Sequence, residues 1–310
     1  MSASLMSFIG IDIGGTNLRG ALIDREGVIS SRFRFPSLVS EGREPFLVRL
    51  CSGIAGLMEK AAMAGVPVMG IGIGVPGLIG FDGIIHSSLN LAPLEGLNLA
   101  ATIEQRLNLP AHCGNDANLI ALGEHRFGAG QGLDSFMVIT VGTGLGSGLV
   151  LDGKLWEGSK GYAAEFGHIT VEPDGFLCPC GNRGCLEQYA SAQALFRESG
   201  GLSPEELDRR AREDDPESIR ILNRMASYLG IALASLLNTL NLQGVFIGGG
   251  VSACYDIIEP VIIKTVRSRT FSLVSESVII RKTALGDDAG LLGAALNAMC
   301  RLQGIGLCRS

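Results

Sequence analysis

The sequence predicts an α/β fold assembled from two related halves, and three observations lead to it. The segment "SFIGIDIGGTNLRGALID" at 7–24 sets aliphatic and β-branched residues on both sides of a Gly-Gly-Thr-Asn turn, the pattern of strand, turn and strand. The same pattern recurs: shifting the chain by 128 positions lays Phe8-Ile-Gly-Ile-Asp-Ile-Gly on Phe136-Met-Val-Ile-Thr-Val-Gly and aligns Gly20 with Gly148 and Asp24 with Asp152. Stretches with helical periodicity separate the strands, as an α/β architecture with a parallel or mixed sheet requires.

Each element has its own local reason. After the first hairpin, an amphipathic helix is expected from about 44 to 64, followed by the strand "VMGIGIGVPG", a loop through Asn90 and a helix ending before Leu109. "GNDAN" at 114–118 opens another helix, and the domain boundary is placed beside it. The second hairpin leads into a cysteine-rich loop, helices between 191 and 240, the strand "GVFIGGG" and a helix of small residues from 289 to 299.

Composition narrows the function. The 310 residues are 46% hydrophobic and 18% charged, with 44 glycines, which describes a globular chain and not a disordered one. A net charge of −6 without basic clusters argues against nucleic-acid binding, which rests on concentrated Lys and Arg. The N-terminus lacks a basic segment followed by an apolar run, so a cytoplasmic protein is expected. The uncharged stretches 61–81 and 225–255 are interrupted by prolines and glycines or by "NTLNLQG", so neither is expected to span a membrane. In a reducing compartment the eight cysteines suggest free thiols or metal ligands before disulfides.

Two motifs mislead. "GIGVPG" at 72–77 fits the dinucleotide fingerprint, but Pro76 and "LIGFDGII" supply a turn and strand where a helix should start. "GLVLDGKL" at 148–155 approaches a P-loop, yet Leu155 stands where Ser or Thr would hold magnesium, and "DG" reads as a hairpin turn.

The informative motifs are "DIGGTN" at 12–17 and "TVGTGLGSG" at 140–148. In each, glycines let backbone N–H groups approach an anion closely. Asp12, at the end of its strand, is suited to a hydrated Mg²⁺ bridging nucleotide phosphates; the plainer alternative is a glycine hairpin with Asp12 in its turn network.

Both turns, "GNDAN", "EFGH" at 165–168, the spacing H-x9-C-x-C-x4-C, "GCLEQYAS" at 184–191 and "IGGGVS" at 247–252 occur in order over nearly the whole chain. Together they resemble the ROK family of repressors, open reading frames and sugar kinases. The resemblance implies two ribonuclease H-like domains of the actin-like ATPase type, at 1–116 and 117–310, with a cleft between them and the helix from about 290 returning to the first. It implies binding of ATP with Mg²⁺ by Asp12, Gly14, Gly15, Thr16, Asn17, Gly142, Thr143, Gly144, Gly248, Gly249 and Gly250. It also implies binding of a sugar by Asn90, Asn115, Asp116, Glu165, His168 and Glu187, with Asp116 as the catalytic base. A sugar hydroxyl is a weak nucleophile at neutral pH, so a carboxylate that takes its proton suits phosphoryl transfer. Asp116 is equally suited to capping the helix that follows.

His168, Cys178, Cys180 and Cys185 admit three explanations. A redox pair normally reads C-x-x-C, whereas Cys178 and Cys180 enclose one residue, and a catalytic thiol has no use for two more beside it. Four soft or borderline ligands suit a closed tetrahedral Zn²⁺ site of structural type. Such a site would hold Glu165 and Glu187 around one pocket.

The leading expectation is therefore an ATP-dependent hexose kinase making glucose 6-phosphate. An N-acetylmannosamine or N-acetylglucosamine kinase is the alternative, because such members share the sugar contacts. A sugar-responsive repressor is less expected, since few residues precede the first strand, and retained ATP segments speak against polyphosphate as donor. The resemblance also implies a homodimer or homotetramer, with the apolar segment 229–240 offered as interface. One departure is "NLQG" at 241–244, where many members read Asn-Pro, which leaves the turn before the strand "GVFIGGG" to be explained.

Overall fold

The computed structural model describes residues 6–88 and 90–307. In chain order the main elements are β1 (Ser7–Ile13), β2 (Asn17–Asp24), β3 (Ile29–Pro36), α1 (Arg43–Met63), β4 (Val68–Val75), β5 (Leu78–Ile79), β6 (Ile85–Ser87), α2 (Leu99–Leu107), β7 (Ala111–Asn115) and α3 (Asp116–Phe127). There follow β8 (Phe136–Val141), β9 (Leu145–Leu151), β10 (Lys154–Leu155), α4 (Ala192–Glu198), α5 (Pro204–Arg212), α6 (Pro216–Leu240), β11 (Gly244–Gly248), α7 (Tyr255–Arg267), α8 (Ser272–Ser277), β12 (Ile279–Lys282) and α9 (Ala289–Gln303).

The repeat in the sequence is a repeat in topology. One five-stranded sheet has the order β3-β2-β1-β4-β7 and the other β10-β9-β8-β11-β12, so the hairpins β1-β2 and β8-β9 hold equivalent places. In the first sheet β1 pairs antiparallel to β2 and parallel to β4, and in the second β8 pairs parallel to β11.

Two compact units emerge. The first comprises the described residues of 1–132, 148–164 and 287–310, the second 133–147 and 165–286. The first unit holds α9, as in the expected arrangement, and extends beyond the expected 1–116 to take in 117–132 and 148–164. This helix packs on β1, β4 and α3, which keeps α3 with the first sheet. Alternation along "FIGIDI" explains the contact: Ile9, Ile11 and Ile13 are wholly buried, while Gly10 pairs with Gly72 on the opposite face. A β-carbon at Gly72 would collide with the Ala294 carbonyl, so glycine is what lets the helix lie this close to the sheet. Phe46, Leu50 and Ile54 of α1 join Ile9, Ile11, Ile71 and Ile73 in the first core, each large apolar side chain contributing on the order of 1.5–3 kcal/mol by burial.

In the second unit α6 packs along α7, with Leu229, Leu233 and Leu237 fully buried. The segment expected to offer an interface therefore turns its apolar face into its own unit. The helix ends at Asn241, which takes the left-handed conformation at φ 49°. The turn that follows is held by Gln243: its side-chain oxygen accepts the N–H groups of Asp134 at 2.8 Å and Ser135 at 3.0 Å, and its backbone carbonyl accepts that of Ile279 at 2.9 Å. "GIGVPG" is the end of β4 and a turn into β5, and "DG" at 152–153 is a hairpin turn with φ 52° and 69°, so neither is a nucleotide loop. No helix among the described residues is long and apolar enough to cross a membrane.

Candidate active site

In the first unit the chemistry-bearing residues gather at the C-terminal ends of β1, β4 and β7. The turn after β1 closes through the Gly14 N–H donating to the Asn17 carbonyl at 2.8 Å. Ser37 holds it from below, its N–H donating to the Thr16 carbonyl at 2.9 Å and its hydroxyl to the Gly15 carbonyl at 2.6 Å. Gly15 and Thr16 remain exposed, and the Asn90 side chain lies beside Gly15, 3.5 Å from where a β-carbon would sit.

Asp12 follows Gly10 on the face of β1 covered by α9, next to Gly290 in the first turn of that helix. The positive end of the helix favours a carboxylate there. Its direct partner is Arg19, whose Nε donates to Oδ2 at 3.0 Å, with a second bond from Nη2. Arg19 also reaches Asp287, at 3.7 Å. Sequence reasoning passed over Arg19, although the hairpin register sets it directly across from Asp12, where opposite charges attract.

At the end of β7 the cap of α3 is Asn115, not Asp116 as the capping alternative had it. Asn115 Oδ1 accepts the Asn118 N–H at 3.0 Å, and its Nδ2 donates to the Gly77 carbonyl at 3.1 Å, fastening β7 to the turn after β4. Asp116 is the first helical residue, and its Oδ1 accepts the adjacent Ala117 N–H at 2.9 Å.

In the second unit the turn Gly142–Gly144 closes through the Gly142 N–H donating to the Gly144 carbonyl at 2.9 Å. Gly248 pairs with Thr140, which sets the "GGG" segment beside the strand that leads into this turn, with Gly249 and Gly250 exposed.

The loop from Glu165 to Ser191 supplies the remaining candidates. A short 3-10 turn, Phe166–His168, directs His168 back toward the cysteines. One atom from each of His168, Cys178, Cys180 and Cys185 lies within 4.8 Å of all the others. His168 Nδ1 is 3.6 Å from Cys178 Sγ, and Cys180 Sγ is 3.6 Å from Cys185 Sγ. A tetrahedron with zinc–sulfur bonds of about 2.3 Å has edges of about 3.8 Å, so the four donors fit such an ion. Burial first, and then the neighbouring sulfurs, push the Cys185 thiol well above its ordinary value.

Further donors face the sulfurs. Asn182 Nδ2 is 3.4 Å from Cys185 Sγ and 3.0 Å from Thr170 Oγ1, while Gln188 Nε2 is 3.8 Å from Cys178 Sγ. Arg197 holds Gln188 by its side-chain oxygen at 3.3 Å and by its carbonyl, and stacks on Phe176 at 4.3 Å. These contacts are set by how the loop closes, and no spacing rule pointed to them.

His168 Nε2 lies 3.9 Å from Glu165 Oε2. Desolvation raises the Glu165 carboxyl above its usual range, with His168 opposing and Glu187 adding to the shift. Glu187 Oε2 accepts the Leu145 N–H at 2.8 Å.

The model of the ROK family matches residues 8–299. Glucokinase of Halalkalibacterium halodurans is 32% identical over 92% of this chain and 93% of its own. The xylose repressor of Bacillus subtilis is 31% identical over 92% of this chain and 75% of its own. A crystal structure of a ROK family glucokinase from Streptomyces griseus, in complex with glucose and AMPPNP, superposes with a TM-score of 0.81 at 34% identity, covering 94% of this chain and 99% of that one.

Proposed function

The chain belongs to the ROK family, with the two-sheet α/β fold of the actin-like ATPases, and from that premise we propose that it transfers the γ-phosphoryl group of ATP to the 6-hydroxyl of glucose. One observation carries this reading above the others: β7 ends by setting the Asn115 amide and the Asp116 carboxylate side by side at the start of α3, an amide to orient a sugar next to a carboxylate to take its proton. The similarity to glucokinases over more than nine-tenths of the chain supports the same choice of reaction.

In the proposed reaction Asp116 takes the 6-hydroxyl proton as the oxygen–phosphorus bond forms and the bond to the leaving ADP breaks. The proton is then lost to water from Asp116. Such base assistance is worth about 10²–10⁴-fold, the rest coming from positioning and from neutralising phosphate charge. Asn115 keeps a second amide hydrogen for a sugar oxygen while the first holds Gly77. Asn90, Glu165, His168 and Glu187 are proposed as the other sugar contacts, since carboxylates, amides and imidazole report hydroxyl positions. The two glycine turns, with Gly14, Gly15, Thr16 and Asn17 in one and Gly142, Thr143 and Gly144 in the other, are proposed to receive phosphates, with Gly248, Gly249 and Gly250 beside the adenosine.

Mg²⁺ bound with ATP would neutralise phosphate charge, and Asp12 is the carboxylate suited to it once Arg19 gives way. Zn²⁺ is proposed for His168, Cys178, Cys180 and Cys185, where its work is to hold the loop that carries Glu165 and Glu187. His168 would meet the metal through Nδ1, leaving Nε2 toward Glu165 and the sugar. A cytoplasmic homodimer or homotetramer is the proposed form, which light scattering would test.

A coupled ADP-release assay over hexoses and acetamido hexoses tests the substrate. Glucose should give the highest kcat/KM. Preference for N-acetylmannosamine or N-acetylglucosamine would replace glucose by that sugar, and binding of operator DNA without turnover of any sugar would replace the kinase by a regulator.

A further inference from the structure

The segment that carries the proposed metal ligands bonds to the second glycine turn and the strand after it at three points. Before the cysteines, the Phe166 N–H donates to Ser147 Oγ at 3.3 Å. After them, the Ala192 N–H donates to the Gly142 carbonyl at 2.8 Å and the Leu145 N–H to Glu187 Oε2 at 2.8 Å. The Glu187 carboxylate also lies against Gly144, where a β-carbon would push its Oε2 aside.

Resting on the kinase reading above, we propose that Glu187 is a positioning residue for the nucleotide as well as a sugar contact: through Oε2 it fixes the backbone of the Gly142–Leu145 turn, and through Oε1 it receives a sugar hydroxyl. A carboxylate has about four acceptor sites on two oxygens, so one group serves both partners at once. The turn sets Thr143 between two glycines, Gly142 and Gly144, and its N–H groups cradle an anion only while the backbone is held in one conformation. Glu187 reaches it from a loop anchored two residues earlier at Cys185. The sugar and the turn that receives the nucleotide therefore meet opposite oxygens of one side chain, so each ligand should bind more tightly in the presence of the other.

Two variants separate the two duties. Glu187→Gln keeps an acceptor of the same length for Leu145, and its NH₂ then faces the sugar as a donor where an acceptor is needed. Glu187→Met keeps the volume and offers no acceptor of comparable strength. Amide hydrogen exchange at Leu145 and calorimetric binding of AMPPNP, both without sugar, read the turn directly; glucose binding reads the other oxygen. Loss of one net hydrogen bond predicts about tenfold faster exchange and about tenfold weaker AMPPNP binding in Glu187→Met, with Glu187→Gln staying within about threefold of wild type on both. Glucose binding should weaken at least about tenfold in both variants. Unchanged Leu145 exchange and AMPPNP affinity in Glu187→Met would overturn the proposal and leave Glu187 a sugar contact alone. Should the Met variant not fold, Glu187→Asp decides, since its carboxylate is one methylene short of Leu145: faster Leu145 exchange and weaker AMPPNP binding support the double role, and both unchanged overturn it. If the wild type phosphorylates no sugar, the kinase reading fails while Leu145 exchange still judges the contact.

Discussion

The two glycine turns begin as copies and end held by different means. Each follows the first strand of a sheet with the same strand order, and each closes on itself through a glycine N–H at 2.8–2.9 Å. The first is gripped by the chain immediately around it: Ser37 takes two of its carbonyls, and Arg19 pairs with Asp12 at its base. The second is gripped by a loop more than forty positions away, in which the side chains of His168, Cys178, Cys180 and Cys185 cluster. A duplicated hairpin thus acquires its role from what packs against it. The first turn should tolerate loss of the metal, and the second should not.

The comparison can be broken or sharpened in order of expected effect. Cys180→Ser should abolish metal binding and phosphoryl transfer together, since apparent zinc binding energies of about 10–16 kcal/mol rival the stability of a whole domain. Elemental analysis beside a turnover assay checks this, and a metal-free protein of full activity would remove the metal from the account. Asp116→Asn removes the proposed base from the first unit without touching either turn. It should lower kcat by about 10²–10⁴-fold and leave glucose binding within a few-fold of wild type. Near-normal turnover would return Asp116 to a purely local role beside Ala117.

Gln188→Leu withdraws one donor from Cys178 and should weaken metal affinity by about 10–100-fold, measured by chelator competition. The smallest effect is expected from Arg19→Met. Its ion pair with Asp12 keeps 28% and 15% side-chain exposure, between the exposed and buried cases, so a loss of about 1–2 kcal/mol is expected in a urea titration. A Leu145 amide unaltered by Arg19→Met would show that the two turns are held independently.

The sequence carried the hairpins, their duplication and the ligand spacing, because those depend on neighbours within a few residues. It also exposed the false dinucleotide and P-loop matches through Pro76 and Leu155. It did not disclose that 117–132 and 148–164 group with the first unit, where α3 packs on α9. Nor did it disclose α7, where Pro260 interrupts a stretch that packing on α6 nevertheless keeps helical. The strand β3 alternates half-buried and exposed residues from Ile29 to Pro36, a period of two that was legible and went unread. The bond from Leu145 to Glu187 spans 42 residues and follows only from the closed loop.

Amide hydrogen exchange on the purified protein, before and after chelation, tests the contrast between the turns most directly. The N–H of Ser37, donated to Thr16, should exchange at the same rate in both samples, while the N–H of Leu145 should lose its protection with the metal. Equal protection of Leu145 with and without metal would contradict the claim that the loop holds the second turn.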